Sequence, residues 1–229
     1  MPEIPEPARA ASMHRRLACL SVAAGACLAM VPAWAGNQQE EALADSVRLA
    51  LSRAISDSRP PKVRFEDIEE RVRYLHWLGE MSERLRRRLP DRQIRLEFLE
   101  TVWYEARRAG IEPALVLGLI QVESAFRKYA ISHAGARGYM QVMPFWTRVI
   151  GDGEPGKLFH MQTNLRYGCS ILRLYMDMEK GNLYLALGRY NGSRGRPEYP
   201  NAVLAAWKNW EFQPEVKAAA PGSGGSGQR

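Results

Sequence analysis

The chain has 229 residues, of which 46% are hydrophobic and 25% are charged, and its formal net charge is +7. This length is enough for one well-buried domain with an extension. The positive charge favours an anionic partner, and nucleic acid is one candidate. However, the densest basic run, residues 84–88, falls in an amphipathic helical pattern, so a solvated helix face explains it most simply.

The first 35 residues have the three parts of an export leader. Residues 14–16 are basic, residues 17–31 are apolar and rich in alanine, and an Ala-Trp-Ala cleavage signal ends at Ala35. The apolar run is shorter than the roughly 20 residues that span a bilayer. We therefore expect a periplasmic protein that is cleaved after Ala35, with Met13 as an alternative start. Export also argues against a nucleic-acid partner.

The cysteines indicate a protein without disulfide bonds. Cys19 and Cys27 lie in the leader, and the residues before Cys27 lack the leucine expected of a lipoprotein signal. Cys169 alone remains after cleavage, so no internal disulfide can form and stability must come from the packed core. Leu165, Cys169 and Leu172 share a helical spacing, which favours a small buried residue over a nucleophile.

The N-terminal half of the exported chain is helical in pattern. Apolar spacing near 3.6 predicts helices over residues 41–55, 65–89 and 92–109, and a proline-containing segment around residues 56–62 separates the first two. The sequence leaves open whether the first helix packs on the core.

The C-terminal half continues the pattern. A helix starts at Pro113, Thr163 is the predicted N-cap of a helix over residues 164–179, and two further helices are predicted over residues 183–190 and 199–210. No alternating pattern is long enough for a sheet, so any β-structure is a short hairpin near residues 130–138. The fold class is therefore all-α, or α+β at most.

Glu123 is the candidate catalytic residue. Leu115, Leu119 and Glu123 lie at i, i+4 and i+8, so a helix places the carboxylate on an apolar stripe. Apolar surroundings raise the pKa of a carboxyl group, as a general acid near neutral pH requires. Spacing alone also fits a glutamate that simply reaches solvent from a helix end.

Three ordered motifs begin at Glu123. They are Glu123-Ser124-x-Phe126 with Ala130-x-Ser132-x-x-Gly135-Ala136-x-Gly138-Tyr139-Met140-Gln141-x-Met143-Pro144, then Asn164-x-x-x-Gly168, then Ala186-Leu187-x-x-Tyr190-Asn191. Over residues 107–210 the chain resembles the lysozyme-like catalytic domain of the soluble lytic transglycosylases, bacterial enzymes that cleave the glycan strands of peptidoglycan.

The resemblance implies a domain organisation. We expect a leader (1–35), a helical N-terminal extension (36–106), a single lysozyme-like catalytic domain (107–211) and a disordered tail (212–229). The N-terminal helices are a candidate surface for a membrane or wall-spanning protein partner, and we expect a monomer. Peptidoglycan carries free carboxylates on its peptide stems, so it would be attracted by the basic surface.

The resemblance also implies a mechanism. Glycosidic cleavage usually needs two carboxylates, whereas between Glu123 and Phe159 the sequence offers only Asp152 and Glu154. Lytic transglycosylases use one Glu, which protonates the departing oxygen and then accepts the proton of the muramic acid C6 hydroxyl as a 1,6-anhydro ring closes. Neither a metal nor an organic cofactor is expected.

Five further residues match family positions that contact the substrate, namely Ser132, Gln141, Met143, Tyr190 and Asn191. Tyr190 matches a tyrosine that hydrogen-bonds near the catalytic carboxylate. Each has a simpler alternative, because Ser132 and Gln141 could satisfy loop backbone, Met143 and Tyr190 could fill the core, and Asn191 could cap its helix.

The sequence departs from the family pattern at three places. Gly192-Ser193 follow Tyr190-Asn191 where alanine and glycine are commoner. Tyr139 stands where leucine is usual, and Phe145-Trp146 stand where a small residue and threonine are usual, which leaves the shape of the subsites open. Two rival functions also remain open. One is a hydrolase of the goose-lysozyme kind with a water held by Asp152 or Glu154, and the other is a non-catalytic peptidoglycan-binding module of a secretion assembly.

Overall fold

The structure is a computed structural model that describes residues 38–57 and 62–213. Within these ranges the chain forms eight α-helices and a 3₁₀ turn at Pro155–Phe159. The helices are α1 (Asp45–Ser56), α2 (Ile68–Leu85), α3 (Arg92–Arg108), α4 (Pro113–Ser124), α5 (Phe145–Ile150), α6 (Met161–Met178), α7 (Leu183–Asn191) and α8 (Glu198–Lys208). The predicted leader and residues 214–229 of the predicted tail lie outside the described residues.

The starts of α2 and α3 are fixed by aspartate caps. The Asp67 side chain accepts a hydrogen bond from the Glu70 backbone N–H at 2.6 Å, and Asp91 accepts one from Ile94 at 2.9 Å. A capping carboxylate satisfies an N–H group that has no partner inside the helix. Both helices are therefore present as predicted, with α2 beginning later than residue 65.

Two details of the predicted helices are wrong. α6 begins at Met161 after His160, so Thr163 lies in its first turn and is not the N-cap. α5 was not predicted, because six residues are too few for a helical period to be recognised.

The predicted hairpin is reduced to two isolated antiparallel bridges, which pair Ile131 with Arg137 and Arg137 with Val142. The described part of the chain contains no strand, so the all-α class is confirmed. Gly135 and Gly138 have φ values of 86° and 77°, which a side chain would disfavour.

The first three helices pack on the same body as the rest. Trp77 of α2 and Phe98 of α3 belong to one buried hydrophobic cluster with Leu119 of α4. α1 contacts α5 and α6. Three partly buried apolar side chains of α1 pack against the cluster, namely Val47, Leu51 and Ile55. Leu43, which precedes α1, packs there as well. The first helix therefore packs on the core.

The closest approach of two helices brings α4 against α8. A Cβ atom at Gly118 would lie only 2.7 Å from the backbone of Trp207, so glycine is needed at this crossing. The other end of the pair places Glu123 of α4 beside Tyr199 of α8. The two helices therefore run antiparallel, and the start of α8 covers the last turn of α4.

Candidate active site

Glu123 lies in the last turn of α4 with only 4% of its surface exposed. The Tyr199 hydroxyl donates a hydrogen bond to Glu123 Oε1 at 2.5 Å, while Oε2 is buried without a partner. Burial raises the pKa of Glu123 to about 8, and the hydrogen bond from Tyr199 lowers it only in part. The carboxyl group is therefore protonated at neutral pH, as the apolar stripe predicted.

The chain reverses immediately after Glu123. Ala125 and Phe126 have left-handed φ values of 50° and 65°, which are uncommon for residues other than glycine. The Ser124 hydroxyl lies 2.7 Å from the Tyr139 carbonyl oxygen and donates to it. The first motif therefore joins the end of α4 to the loop that returns towards it.

Asn164 organises that returning loop. Its Oδ1 accepts the Met140 backbone N–H at 2.8 Å, and its Nδ2 donates to the carbonyl oxygens of Arg137 and Leu158 at 2.8 Å each. One helical turn further on, a Cβ atom at Gly168 would clash with the Met140 side chain. The second motif thus holds the loop against α6 in two ways. The Asn164 side chain bonds to the loop, and Gly168 lets the Met140 side chain pack against the helix backbone.

Ser132 and Gln141 contact the loop backbone. The Ser132 hydroxyl accepts the Ala136 N–H at 3.1 Å. Gln141 Nε2 donates to the carbonyl oxygens of Ala130 and Gly138 at 3.1 and 2.9 Å, and the Gln141 side chain is buried. These bonds give both residues a role in loop shape, and their contact with substrate stays a prediction.

Tyr190 is fully buried, and its hydroxyl donates to the Met140 carbonyl oxygen at 2.8 Å. The hydroxyl in contact with the carboxylate belongs to Tyr199 instead, which the sequence analysis did not single out. A signal for Tyr199 was present, because the buried residues Tyr199, Val203 and Ala206 share one face of α8. That face packs on α4.

The two other predicted substrate contacts lie close to these residues in sequence. Asn191 is buried at the end of α7, where its Nδ2 donates to the Ser193 hydroxyl at 3.0 Å and its Oδ1 has no partner. Met143 is partly buried against the core, whereas Met140 is fully buried. Substrate contact by Asn191 and Met143 also stays a prediction.

Asp152 and Glu154 line a cavity of about 540 Å³, bounded by α1, α5 and α6. Asp152 pairs with Lys157 and accepts the Glu154 backbone N–H, and the hydrogen bond from Lys157 lowers the pKa of Asp152. Neither Glu123 nor Tyr199 lines this cavity. The structure therefore does not bring these two carboxylates together with Glu123.

The described residues offer neither a metal-binding cluster nor a membrane-spanning helix. No group of three or more His, Cys, Asp or Glu side chains in residues 38–57 and 62–213 is arranged to hold a metal ion. Over the same ranges, every helix is too short or too polar to cross a bilayer. Cys169 is a buried free thiol whose pKa is raised by burial, as expected of a small core residue.

Comparisons with known protein sequences show similarity over less than half of the chain. Residues 100–203 match the Transglycosylase SLT domain. The chain is 36% identical over 99 residues to the membrane-bound lytic murein transglycosylase C of Actinobacillus pleuropneumoniae serotype 5b (strain L20), covering 41% of this chain and 24% of that protein. It is 40% identical over 114 residues to the protein of the same name from Mannheimia succiniciproducens, covering 43% and 32% respectively. The chain thus spans a third or less of the length of these relatives.

One solved structure is also similar, the lytic transglycosylase Slt inactive mutant E503Q from Pseudomonas aeruginosa. The identity is 20%, the TM-score is 0.45, and the match covers 76% of this chain and 38% of that one. The described helices form an all-α domain. Residues 100–203 of the chain are similar to the transglycosylase SLT domain.

Proposed function

We propose that the chain is a peptidoglycan lytic transglycosylase that cleaves the β-1,4 bond between N-acetylmuramic acid and N-acetylglucosamine. The observation that carries the proposal is the environment of Glu123, a buried carboxyl group whose one hydrogen-bond partner is a neutral phenol. Such a group keeps its proton at neutral pH and can donate it as a general acid. The names of the relatives support the same activity.

In the proposed reaction, Glu123 protonates the glycosidic oxygen as the bond from C1 of the muramic acid to that oxygen breaks. The C6 hydroxyl of the same sugar then attacks C1, and the Glu123 carboxylate accepts the hydroxyl proton. The product is a 1,6-anhydromuramic acid, and Glu123 is again protonated. An internal nucleophile has a high effective concentration, so no second carboxylate is required to activate water.

Tyr199 has a positioning role in this proposal. Its hydroxyl occupies Oε1, which leaves Oε2 as the oxygen that carries and transfers the proton. The partial charge of the phenolic hydrogen also stabilises the carboxylate that exists between the two proton transfers. Ser132, Gln141, Met143, Tyr190 and Asn191 are proposed to contact the glycan. The proposed location is the periplasm, in keeping with the predicted leader.

The test is mass spectrometry of purified peptidoglycan after digestion with the protein and with Glu123→Gln. We expect anhydro-muropeptides from the wild-type protein and none from the variant. Products with reducing ends would instead identify a hydrolase and direct attention to Asp152 and Glu154. Binding of sacculi without any product from either protein would favour the non-catalytic module.

A further inference from the structure

A segment far outside the matched domain reaches the candidate site. Residues 38–44, which we call the N-terminal strap, run without helical structure into α1. The match to the SLT domain begins only at residue 100. Yet two side chains of the strap make hydrogen bonds to the first and third motifs, at Met143 and at Arg189 beside Tyr190.

The first side chain is Gln38, which is buried with 4% of its surface exposed. Its Oε1 accepts the Trp146 indole N–H at 3.0 Å and the Met143 backbone N–H at 3.3 Å. A buried donor that loses its acceptor carries a desolvation penalty, so these two groups depend on Gln38. Gln38 thereby fixes the segment that follows the loop of the first motif.

Gln38 also bonds to the segment that contacts the third motif. Its Oε1 accepts the Met143 backbone N–H, and the Tyr190 hydroxyl donates to the carbonyl oxygen of Met140 in the same segment. Burial raises the pKa of Tyr190 well above its ordinary value, the charge of Glu123 raises it further, and the Gln38 side chain lowers it. The strap and the third motif therefore meet at residues 140–143.

The second side chain is Glu41, whose Oε1 and Oε2 both lie 2.7 Å from Arg189 Nη1. Arg189 directly precedes Tyr190 and also donates to Glu179 Oε1 at 2.8 Å. Arg194, in the loop after α7, donates to the same Glu179 carboxylate at 2.7 and 2.9 Å. Hydrogen bonds from Arg194 and Arg189 hold the pKa of Glu179 at about 2, so this network stays charged.

We infer that Gln38 and Glu41 are positioning residues of the active site, which hold the Met143–Trp146 side of the site and the end of α7 in register around Glu123. The inference rests on the proposed function. Its physical basis is that the loop before Met143 has isolated bridges in place of a strand ladder, so side-chain bonds add to its local backbone bonds in setting its position. Small displacements of catalytic surroundings are costly for turnover.

The test uses the full chain and soluble glycan strands as substrate. Gln38→Met keeps the volume of the side chain but removes the acceptor, and we expect kcat to fall about tenfold while KM changes less than about twofold. Gln38→Glu keeps an acceptor for both N–H groups and should restore most of the loss. Glu41→Ala should lower kcat by about threefold, because Arg189 retains Glu179.

The matched control is Glu40→Ala. Glu40 neighbours Glu41 in the strap, but it is exposed and its ion pair with Arg148 is long, at 3.6 Å. We expect its kcat to equal that of the wild type. Unchanged kcat in both Gln38→Met and Glu41→Ala would overturn the inference. A rise in kcat would overturn it as well, because it would mean that the strap obstructs the site.

A second measurement does not depend on activity. Hydrogen exchange of the Trp146 indole N–H, assigned by comparison with Trp146→Phe, should be at least about tenfold faster in Gln38→Met than in the wild type or Glu40→Ala. Equal exchange rates would show that Gln38 does not hold Trp146 and would overturn the inference. A wild-type protein that forms no anhydro-muropeptides would instead count against the proposed function, and the exchange rates would still decide whether Gln38 holds this segment.

Discussion

Two buried glutamates on neighbouring helices have opposite surroundings. Glu105 of α3 is fully buried and accepts hydrogen bonds from Arg166 Nε at 2.9 Å and Arg108 Nε at 2.7 Å. Glu123 of α4 is almost as deeply buried, but its partner is the neutral Tyr199 hydroxyl. Burial alone therefore does not distinguish the proposed acid from a structural glutamate. The hydrogen-bond partner does, because a neutral phenol, unlike two guanidinium groups, leaves the proton on Glu123.

Replacement of either glutamate by glutamine should distinguish a catalytic role from a structural one, and the largest effect is expected at Glu123. Glu123→Gln removes the transferable proton but little volume, so we expect cleavage of glycan strands to fall by about 10²- to 10⁴-fold. The thermal midpoint of unfolding should not fall, because no ion pair is lost. Rates of anhydro-muropeptide release and differential scanning fluorimetry on one preparation would check both statements. Retained cleavage would mean that another group is the acid.

Glu105→Gln should have the reverse effect. It leaves two guanidinium groups facing a neutral amide, and breaking a buried ion pair costs about 3–5 kcal/mol. Urea unfolding would measure this loss of stability. The remaining folded protein should cleave glycan at a rate within a few-fold of the wild type, and a loss of activity as large as that of Glu123→Gln would end the distinction between the two glutamates.

The pH dependence of stability sharpens the comparison further. Glu123 has a folded-state pKa of about 8, above the ordinary value of 4.5, so the native state keeps a proton that the unfolded chain releases. Native stability should therefore decline as pH rises from 4.5 towards 8, by up to about 1.4 kcal/mol per pH unit from this group. The Glu123→Gln variant should lack this decline in stability, because its amide does not titrate. Its unfolding midpoint, relative to that of the wild type, should rise from pH 5 to pH 8, and a constant difference would contradict the raised pKa.

Tyr199→Phe should have the smallest effect. The hydroxyl lowers the pKa of Glu123, so its removal should raise that pKa further and move the basic limb of the pH–rate profile to higher pH by up to about one unit. Tyr190→Phe provides the comparison, because the Tyr190 hydroxyl donates to the Met140 carbonyl and not to Glu123. Its basic limb should stay in place.

The sequence predicts the buried carboxyl group of Glu123 but not its partner. The 3.6-residue period reveals which helix face is buried, so Leu115, Leu119 and Glu123 predicted the buried carboxyl group correctly. Tyr199 could have been found from the buried face of α8, although no pattern indicates that this face meets α4. Gln38 could not be found, because its bonds to Met143 and Trp146 span 105 and 108 residues. Contacts between residues so far apart in sequence produce no periodic pattern in the sequence around Gln38.

The predicted helices were recovered more fully than the segments between them. Asp91 directly precedes the predicted start of α3, whereas Asp67 caps α2 after its predicted start at residue 65. No side chain caps α6 at His160, so the sequence offers no start signal there and predicts Thr163 as the N-cap. The loop near residues 130–138 has backbone hydrogen bonds of its own, such as the bond from the Gly138 N–H to the Ala130 carbonyl oxygen, but they form isolated bridges and no strand ladder.

The bonds of Asn164 have a consequence for how far the loop sequence can vary. One carboxamide bonds to two carbonyl oxygens and one N–H, all of them backbone groups, on Arg137, Leu158 and Met140. These bonds involve only main-chain atoms of the loop, so they do not depend on its side chains. The side chain of Tyr139 can therefore change without loss of these three bonds. Asn164 itself has no such freedom, because an aspartate of equal size would turn an oxygen towards two carbonyl oxygens.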